Sequence, residues 1–421
     1  MYQNNNIEGG FSMFQPTAKD ISGCIEILRS LNCIPRWSAH VGHLQDNYTE
    51  IAKLALNSQI ASIMFELVAH EQEHGIGFTD YPKVRFNLLP RIALYRAFEK
   101  YEKCDILDET YQKLFSNDSK LEKAFITHME KQVVSLTSQD LFNHISGLNE
   151  TFEMKIFKAA TAIATYYEGR EIRKYIHSKK YADIQDRQLQ RLKKYEEFPV
   201  VRELINGIGG ENISTDACRI CSLIEEFSSL RNRIRWVKRV PLRCYSVLGH
   251  SFDVAIYNYL LVLSVKPDDE ELAEKGFYVG LYHDVAEIWT GDMPSPLKDA
   301  IPGLRKKTEE LEVEVLNLKI FPLIPEWLRP KFKNVMLEML PDFLKKFYKE
   351  GDNLAAIVEA ATQLAAGSTD CYFKNVVING YLKTNSSFPV EKEIMKKIRK
   401  DARIPYIAIL FRMIKNKLSK K

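Results

Sequence analysis

The run Ile25-Glu-Ile-Leu-Arg-Ser-Leu-Asn-Cys-Ile-Pro-Arg-Trp37 aligns without gaps to Ile224-Glu-Glu-Phe-Ser-Ser-Leu-Arg-Asn-Arg-Ile-Arg-Trp236, and this internal match narrows the possible folds more than any other feature. Three further segments follow in the same order. Asn47–Ala52 falls against His250–Ala255 after a short deletion, Ala93–Ala97 against Gly280–Asp284, and Lys158–Ala164 against Glu350–Ala356. The chain therefore reads as two copies of one unit, residues 1–207 and 208–421. Apolar residues recur at three- and four-residue spacing in Ile51–His70, Arg91–Tyr101, Glu153–Tyr167 and Glu309–Leu318, while the two-residue alternation of strands is scarce. The expected fold is all-α: two helical bundles in tandem. The glycine-rich stretch Asn206–Thr215 follows no strand, so it reads as a linker rather than a dinucleotide loop, with Ser214 or Thr215 capping the next helix.

Composition is consistent with that division. A chain of 421 residues, 45% hydrophobic, fills two cores more easily than one. A net charge of +4 provides no concentrated basic surface, so stable nucleic-acid binding is not expected, and Lys415–Lys421 reads as a solvated tail. The start, Met1-Tyr-Gln-Asn-Asn-Asn, has no basic segment followed by an apolar one, and no apolar stretch free of charge is long enough to span a bilayer. Seven scattered cysteines, an odd number, suit a reducing compartment. The expectation is a cytoplasmic protein without a membrane partner. Cys218 and Cys221 form a lone CxxC, with no second pair to complete a zinc site, and read as two small residues on a helix.

The chemistry concentrates in Gly280–Lys298. There His283 and Asp284 stand side by side in an apolar helical run, Glu287 lies one turn on, and Gly291 stops the helix before Asp292. An imidazole beside a carboxylate offers mixed N/O donors to a divalent cation. His250 and Asp352 each open a further apolar-periodic segment, so three helices bring donors to one place. Only His250 and His283 occur after residue 177, which implies a single metal. His70-Glu-Gln-Glu-His74 matches the zincin string literally, but the helix ends at once at Gly75 with no third ligand downstream, and the segment reads as a solvated helix end.

The order His, His-Asp, Asp, with Arg235-Trp236 fourteen residues before His250 and Thr290-Gly-Asp-Met-Pro-Ser-Pro-Leu-Lys298 after the pair, resembles the HD-domain metal-dependent phosphohydrolases, in particular the bacterial 5'-deoxynucleotidases. The resemblance implies one divalent ion (Co, Mn, Mg, Ni, Fe or Zn) on His250, His283, Asp284 and Asp352. It implies Glu287 and Asp292 as the catalytic carboxylates, and Arg235 and Trp236 as residues that bind substrate and discriminate against a ribose 2'-hydroxyl. Lys298 would add charge for a phosphate. The implied reaction is hydrolysis of 2'-deoxynucleoside 5'-monophosphates to nucleoside and phosphate; the rivals are a deoxynucleoside triphosphate triphosphohydrolase and a nucleotide-sensing protein with little turnover. Because related single-domain enzymes associate as dimers, the two copies would form an internal pseudo-dimer. The first carries Asn47, Arg96, Ala97 and Ala160 at the ligand positions and so would bind no metal. It keeps Arg36-Trp37, however, which leaves a structural task for the Arg-Trp pair as the rival to its substrate role. The family places an acidic residue just before the first histidine; this chain has Gly249, which puts the support of that histidine in question.

Overall fold

The computed structural model describes residues 14–36, 48–104, 106, 108–115, 118–175, 179–209, 215–237, 239, 241–337, 342–383 and 389–402. Trp37, Asn47, residues 210–214 of the glycine-rich stretch and Lys415–Lys421 lie outside them. Among the described residues the chain is helical, as its periodicity predicts, and its extended pairings are two isolated antiparallel bridges, Pro35 with Thr49 and Ile234 with Ser246. Eight helices position the site: α1 (Ala18–Leu31), α2 (Glu50–Glu73), α3 (Leu88–Lys103), α4 (Phe152–Tyr175), α5 (Thr215–Ser229), α6 (Val247–Val265), α7 (Glu270–Tyr282) and α8 (Asp342–Ala365). The helix Pro199–Gly209 runs through Gly207, so the boundary expected at 207/208 falls inside a helix.

The two bridges set up α2 and α6 in the same way. Arg36 N donates to Tyr48 O and Glu50 N to Ile34 O; correspondingly, Arg235 N donates to Tyr245 O and Val247 N to Arg233 O. Thr49 and Ser246 then cap the helices, their side chains accepting from the amides of Ala52 and Gly249. Neither helix confines its apolar residues to one stripe, the pattern of a helix buried on all sides. Each is long and apolar enough by length and composition to cross a membrane, although Glu66 in α2 and Asp253 in α6 interrupt them with charge as the sequence expectation holds, and 89% and 100% of those stretches are buried in this fold. They pack against each other at the centre of the molecule, with α4 on α2, and α7 and α8 on α6.

Two glycines let the flanking helices approach α6 closely. A Cβ on Gly280 would stand 2.5 Å from Ala255 N, and one on Gly351 would overlap the Asn258 side chain. Each glycine lies within three residues of an expected ligand. Gly280→Ala should therefore push α7 off α6 and lower stability by about 1–3 kcal/mol, read as a lower urea midpoint at unchanged slope; an unaltered midpoint would show that the crossing does not need the glycine.

Polar contacts also cross between the halves. Gln59 Nε2 donates to Leu281 O at 3.0 Å, Ser62 and Tyr282 share a hydroxyl hydrogen bond, and His144 Nε2 meets the Tyr259 hydroxyl at 2.7 Å. Burial, helped by Arg91, pushes His144 down to about 3 from its ordinary 6.5. A depressed folded pKa stabilises above the unfolded value, and that contribution is lost as pH falls from 6.5 towards 3. Between pH 7 and pH 5 the wild type should lose about 2 kcal/mol through this group. His144→Gln, which keeps a hydrogen bond to Tyr259 without titrating, should lose correspondingly less in denaturation at the two pH values; equal losses would exclude His144 as the source.

Candidate metal centre

His250 occupies the fourth position of α6, within reach of α7 and α8, and is fully buried. Its Nδ1 meets Glu359 Oε1 at 2.7 Å, which leaves Nε2 facing Asp352 Oδ1 at 3.1 Å and Asp284 Oδ2 at 3.9 Å. His283 is oriented likewise: Nδ1 donates to Gly280 O at 2.7 Å, and Nε2, buried without a hydrogen-bond partner, lies 2.9 Å from Asp284 Oδ2. Both rings thus present Nε2 to the same place, with the other nitrogen held by protein. One ligand atom each from His250, His283 and Asp284 lies within 4.8 Å of the others, and Asp352 reaches the same point through Oδ1. The four expected ligands are brought together.

These donors fit a divalent cation. Two imidazole nitrogens and two carboxylates are the mixed set such ions accept, and His283 Nε2, buried with no well-aligned hydrogen bond, has only the Asp284 carboxylate beside it, itself a donor to the same ion. Glu359 and Asp352 raise His250 to about 10 against burial and the Arg235 charge, so the metal-free site holds a proton where a cation would bind. Burial alone would raise Asp284, but His283, His250 and Arg235 overcome it and keep that carboxylate well below its ordinary range. The Asp352 side chain remains 42% exposed, which makes its side the open one.

The local structure differs from the expected helical run. α7 ends at Tyr282, His283 is its C-cap, and a turn separates it from the short helix Glu287–Thr290. Glu287 therefore reaches the centre from a second helix and not from one turn along the same one. Asp352 lies in the interior of α8, which begins ten residues earlier, instead of opening it. Glu287 is buried with Oε2 unpartnered, and burial followed by Asp284 and Asp292 pushes its pKa well above the ordinary carboxyl value. Gly291, at φ 71°, turns the chain so that Asp292 enters the same field, where burial likewise raises it. Two protonatable carboxyls thus stand beside the four candidate ligands.

Arg235 and Trp236 are both held by Glu359. Arg235 Nε donates to Glu359 Oε2 at 3.0 Å and Trp236 Nε1 to the same oxygen at 2.7 Å, while Arg235 Nη1 lies 3.8 Å from Asp284. Trp236 takes a left-handed backbone, φ 65°, rare for a bulky residue. Lys298 is paired with Glu312 at 3.4 Å. His70 stacks on Trp327 and His74 Nδ1 sits 2.8 Å from His70 O; among the described residues these two histidines join no third ligand. Cys221 lies half-buried on α5, its carbonyl accepting from the Tyr167 hydroxyl at 3.4 Å, and the Cys218 side chain lies outside the described residues.

Glu359 was missed in the sequence. It lies seven residues after Asp352, two turns along the same face of α8, and that spacing is the signal that points to it. It supplies what Gly249 lacks: a carboxylate behind the first histidine. A side chain at 249 would instead meet the first half, its Cβ 3.0 Å from Ile51 and 3.7 Å from Asn32. Glu359→Gln should lower divalent-metal affinity by roughly 10–100-fold, measured by cobalt titration of the apoprotein; unchanged affinity would mean that Glu359 does not orient His250.

Residues 223–395 match the family model described as 5'-deoxynucleotidase YfbR-like. Curated relatives include the 5'-deoxynucleotidase YfbR proteins of Escherichia coli strains K12 / DH10B, SMS-3-5 / SECEC and SE11, each 27% identical over 163 residues, or 37% of this chain and 81% of the relative.

Proposed function

Because residues 223–395 carry a YfbR-like HD domain, we propose that this chain is a phosphomonoesterase that releases phosphate from 2'-deoxynucleoside 5'-monophosphates with one divalent metal. The observation that carries the reading is the convergence of His250, His283, Asp284 and Asp352 with two protonatable carboxyls beside them. A divalent cation in this position supplies Lewis-acid charge for a phosphoryl oxygen and lowers the pKa of water. Arg235, anchored on Glu359 and directed at Asp284, adds a fixed positive charge beside the phosphate. Glu287 and Asp292 divide the proton transfers, one towards the leaving 5'-oxygen and one from water. Trp236 holds the wall next to the sugar through its bond to Glu359, which ties discrimination at the 2' position to the same carboxylate.

The first half is read as a decayed second copy. The duplicated bridge and cap at α2 and α6 support this reading, as do two buried Arg–Glu pairs, Arg36 with Glu168 and Arg235 with Glu359. These features shift the register of the sequence alignment. Caps at Thr49 and Ser246 set Lys53, not Asn47, against His250, and the Glu168/Glu359 pair sets Thr161, not Ala160, against Asp352. No position of this set offers a metal-binding histidine or carboxylate in the first half.

The experiment is phosphate release from deoxy- and ribonucleoside monophosphates with Co, Mn, Mg, Ni or Zn added. Wild type should act on the deoxy series only with metal, Asp284→Ala should lose activity by at least about 10³-fold, and Glu287→Gln and Asp292→Asn by about 10²–10⁴-fold. Equal residual release by wild type and Asp284→Ala would overturn the reading.

A further inference from the structure

Lys53, Arg96, Lys100 and Lys103, with Glu50 and Glu99, line a cavity of about 30 Å³ formed by α2, α3 and α4 in the first half. The caps place Lys53 against His250, the buried pairs place Thr161 against Asp352, and the sequence match of Ala93–Ala97 with Gly280–Asp284 places Arg96 against His283; all three of these first-half residues line this cavity. Ammonium and guanidinium groups have no lone pair for a cation, so the pocket has changed the sign of what it accepts. Both carboxylates are engaged by cations: Glu50 accepts from Arg36 at 2.8 Å and lies 3.2 Å from Lys100, and Glu99 is held between Arg96 and Lys103. The lining carries two more positive than negative charges.

We infer that this cavity binds the phosphate group of a small anion, either inorganic phosphate or a nucleoside monophosphate. Size and charge both agree with that ligand. At about 30 Å³ the cavity admits at most one phosphate-sized group and leaves any nucleoside outside. The surplus matches the charge of a phosphate dianion, which Arg and Lys bind through short charge-assisted hydrogen bonds. Asn57 also lines the cavity, only 3% exposed, with Oδ1 of its buried amide unpartnered; that oxygen is an acceptor, so binding an anion requires the amide turned by half a turn to bring its N–H donors to the ligand. The inference concerns the first half and is independent of the nucleotidase reading.

The test is calorimetric titration of the full chain, stripped of metal with a chelator, with inorganic phosphate and separately with a deoxynucleoside 5'-monophosphate. Wild type should bind phosphate, and Lys53→Met and Arg96→Gln should each weaken it at least about tenfold, while Lys53→Arg keeps it. If Lys53→Met fails to fold in a thermal melt, Arg96→Gln and Lys100→Gln, both nearer the surface, decide the matter. Equal affinity for the two ligands identifies free phosphate as sufficient; tighter nucleotide binding that Arg96→Gln abolishes identifies the nucleotide. Absence of phosphate binding up to the order of 10 mM, or affinity unchanged in the variants, overturns the inference. Turnover with metal is read in parallel, so an inactive enzyme that still binds phosphate in this way leaves the inference standing.

Discussion

The buried carboxylate of Glu359 is the interaction on which the second half depends. It has no exposed surface and takes three hydrogen bonds, from His250 Nδ1, Arg235 Nε and Trp236 Nε1. Burial favours its neutral form, but Arg235 and His250 reverse that and hold the group charged. Removing one partner from such a cluster leaves a buried charge uncompensated, at about 3–5 kcal/mol. Glu359 also selects the tautomer of His250, and its bond to the indole helps keep Trp236 in a backbone conformation that otherwise costs of order 1–3 kcal/mol. Fold, ligand geometry and the Arg-Trp segment share one anchor.

An equivalent anchor exists in the first half without the metal ligands. Glu168 accepts from Arg36 and also from Arg231, which belongs to the second half and lies 97% buried at its side chain. Both arginines and Lys53 pull Glu168 down to about 2 against the opposing effect of burial. Arg36 and Arg235 each tie the strand-like segment before a central helix to a buried glutamate on α4 or α8. Arg36 and Arg235 thus share a structural task that accounts for an Arg-Trp pair in both halves, and Arg235 in addition faces the Asp284 carboxylate.

Helical spacing made the all-α class legible, and the order His250, His283-Asp284, Asp352 made the site legible, because both depend on local pattern. What remained hidden depends on crossings between helices. His283 ends α7 because the chain must turn there to bring Asp284 inward, and no local breaker announces it. Asp352 sits inside α8 because that helix extends ten residues towards its N-terminus. Under the proposed duplication, sequence identity is weak around Asn47 and Ala160, and helix caps and buried ion pairs offer a second register there, with Lys53 and Thr161 in their places. Gly249 looked like a missing support and is instead a contact surface for Ile51 and Asn32.

That contact limits how far the two halves can be regarded as separate domains. α2 covers α6 over a stretch with no exposed side, and its Gln59 and Ser62 hold Leu281 and Tyr282, the two residues immediately before His283. Asn32 grips the carbonyl of Cys244 just ahead of α6, and Arg231 reaches back to Glu168. A second half taken alone would expose the apolar side of α6 to water and lose the hydrogen bonds that fix the end of α7. Of the glycine-rich stretch, residues 206–209 belong to the helix Pro199–Gly209 and residues 210–214 lie outside the described residues, while the buried apolar residues of both halves form one continuous cluster. The first half supplies the wall behind Gly249 and His250 and the grip beside His283, and so belongs to the centre it borders.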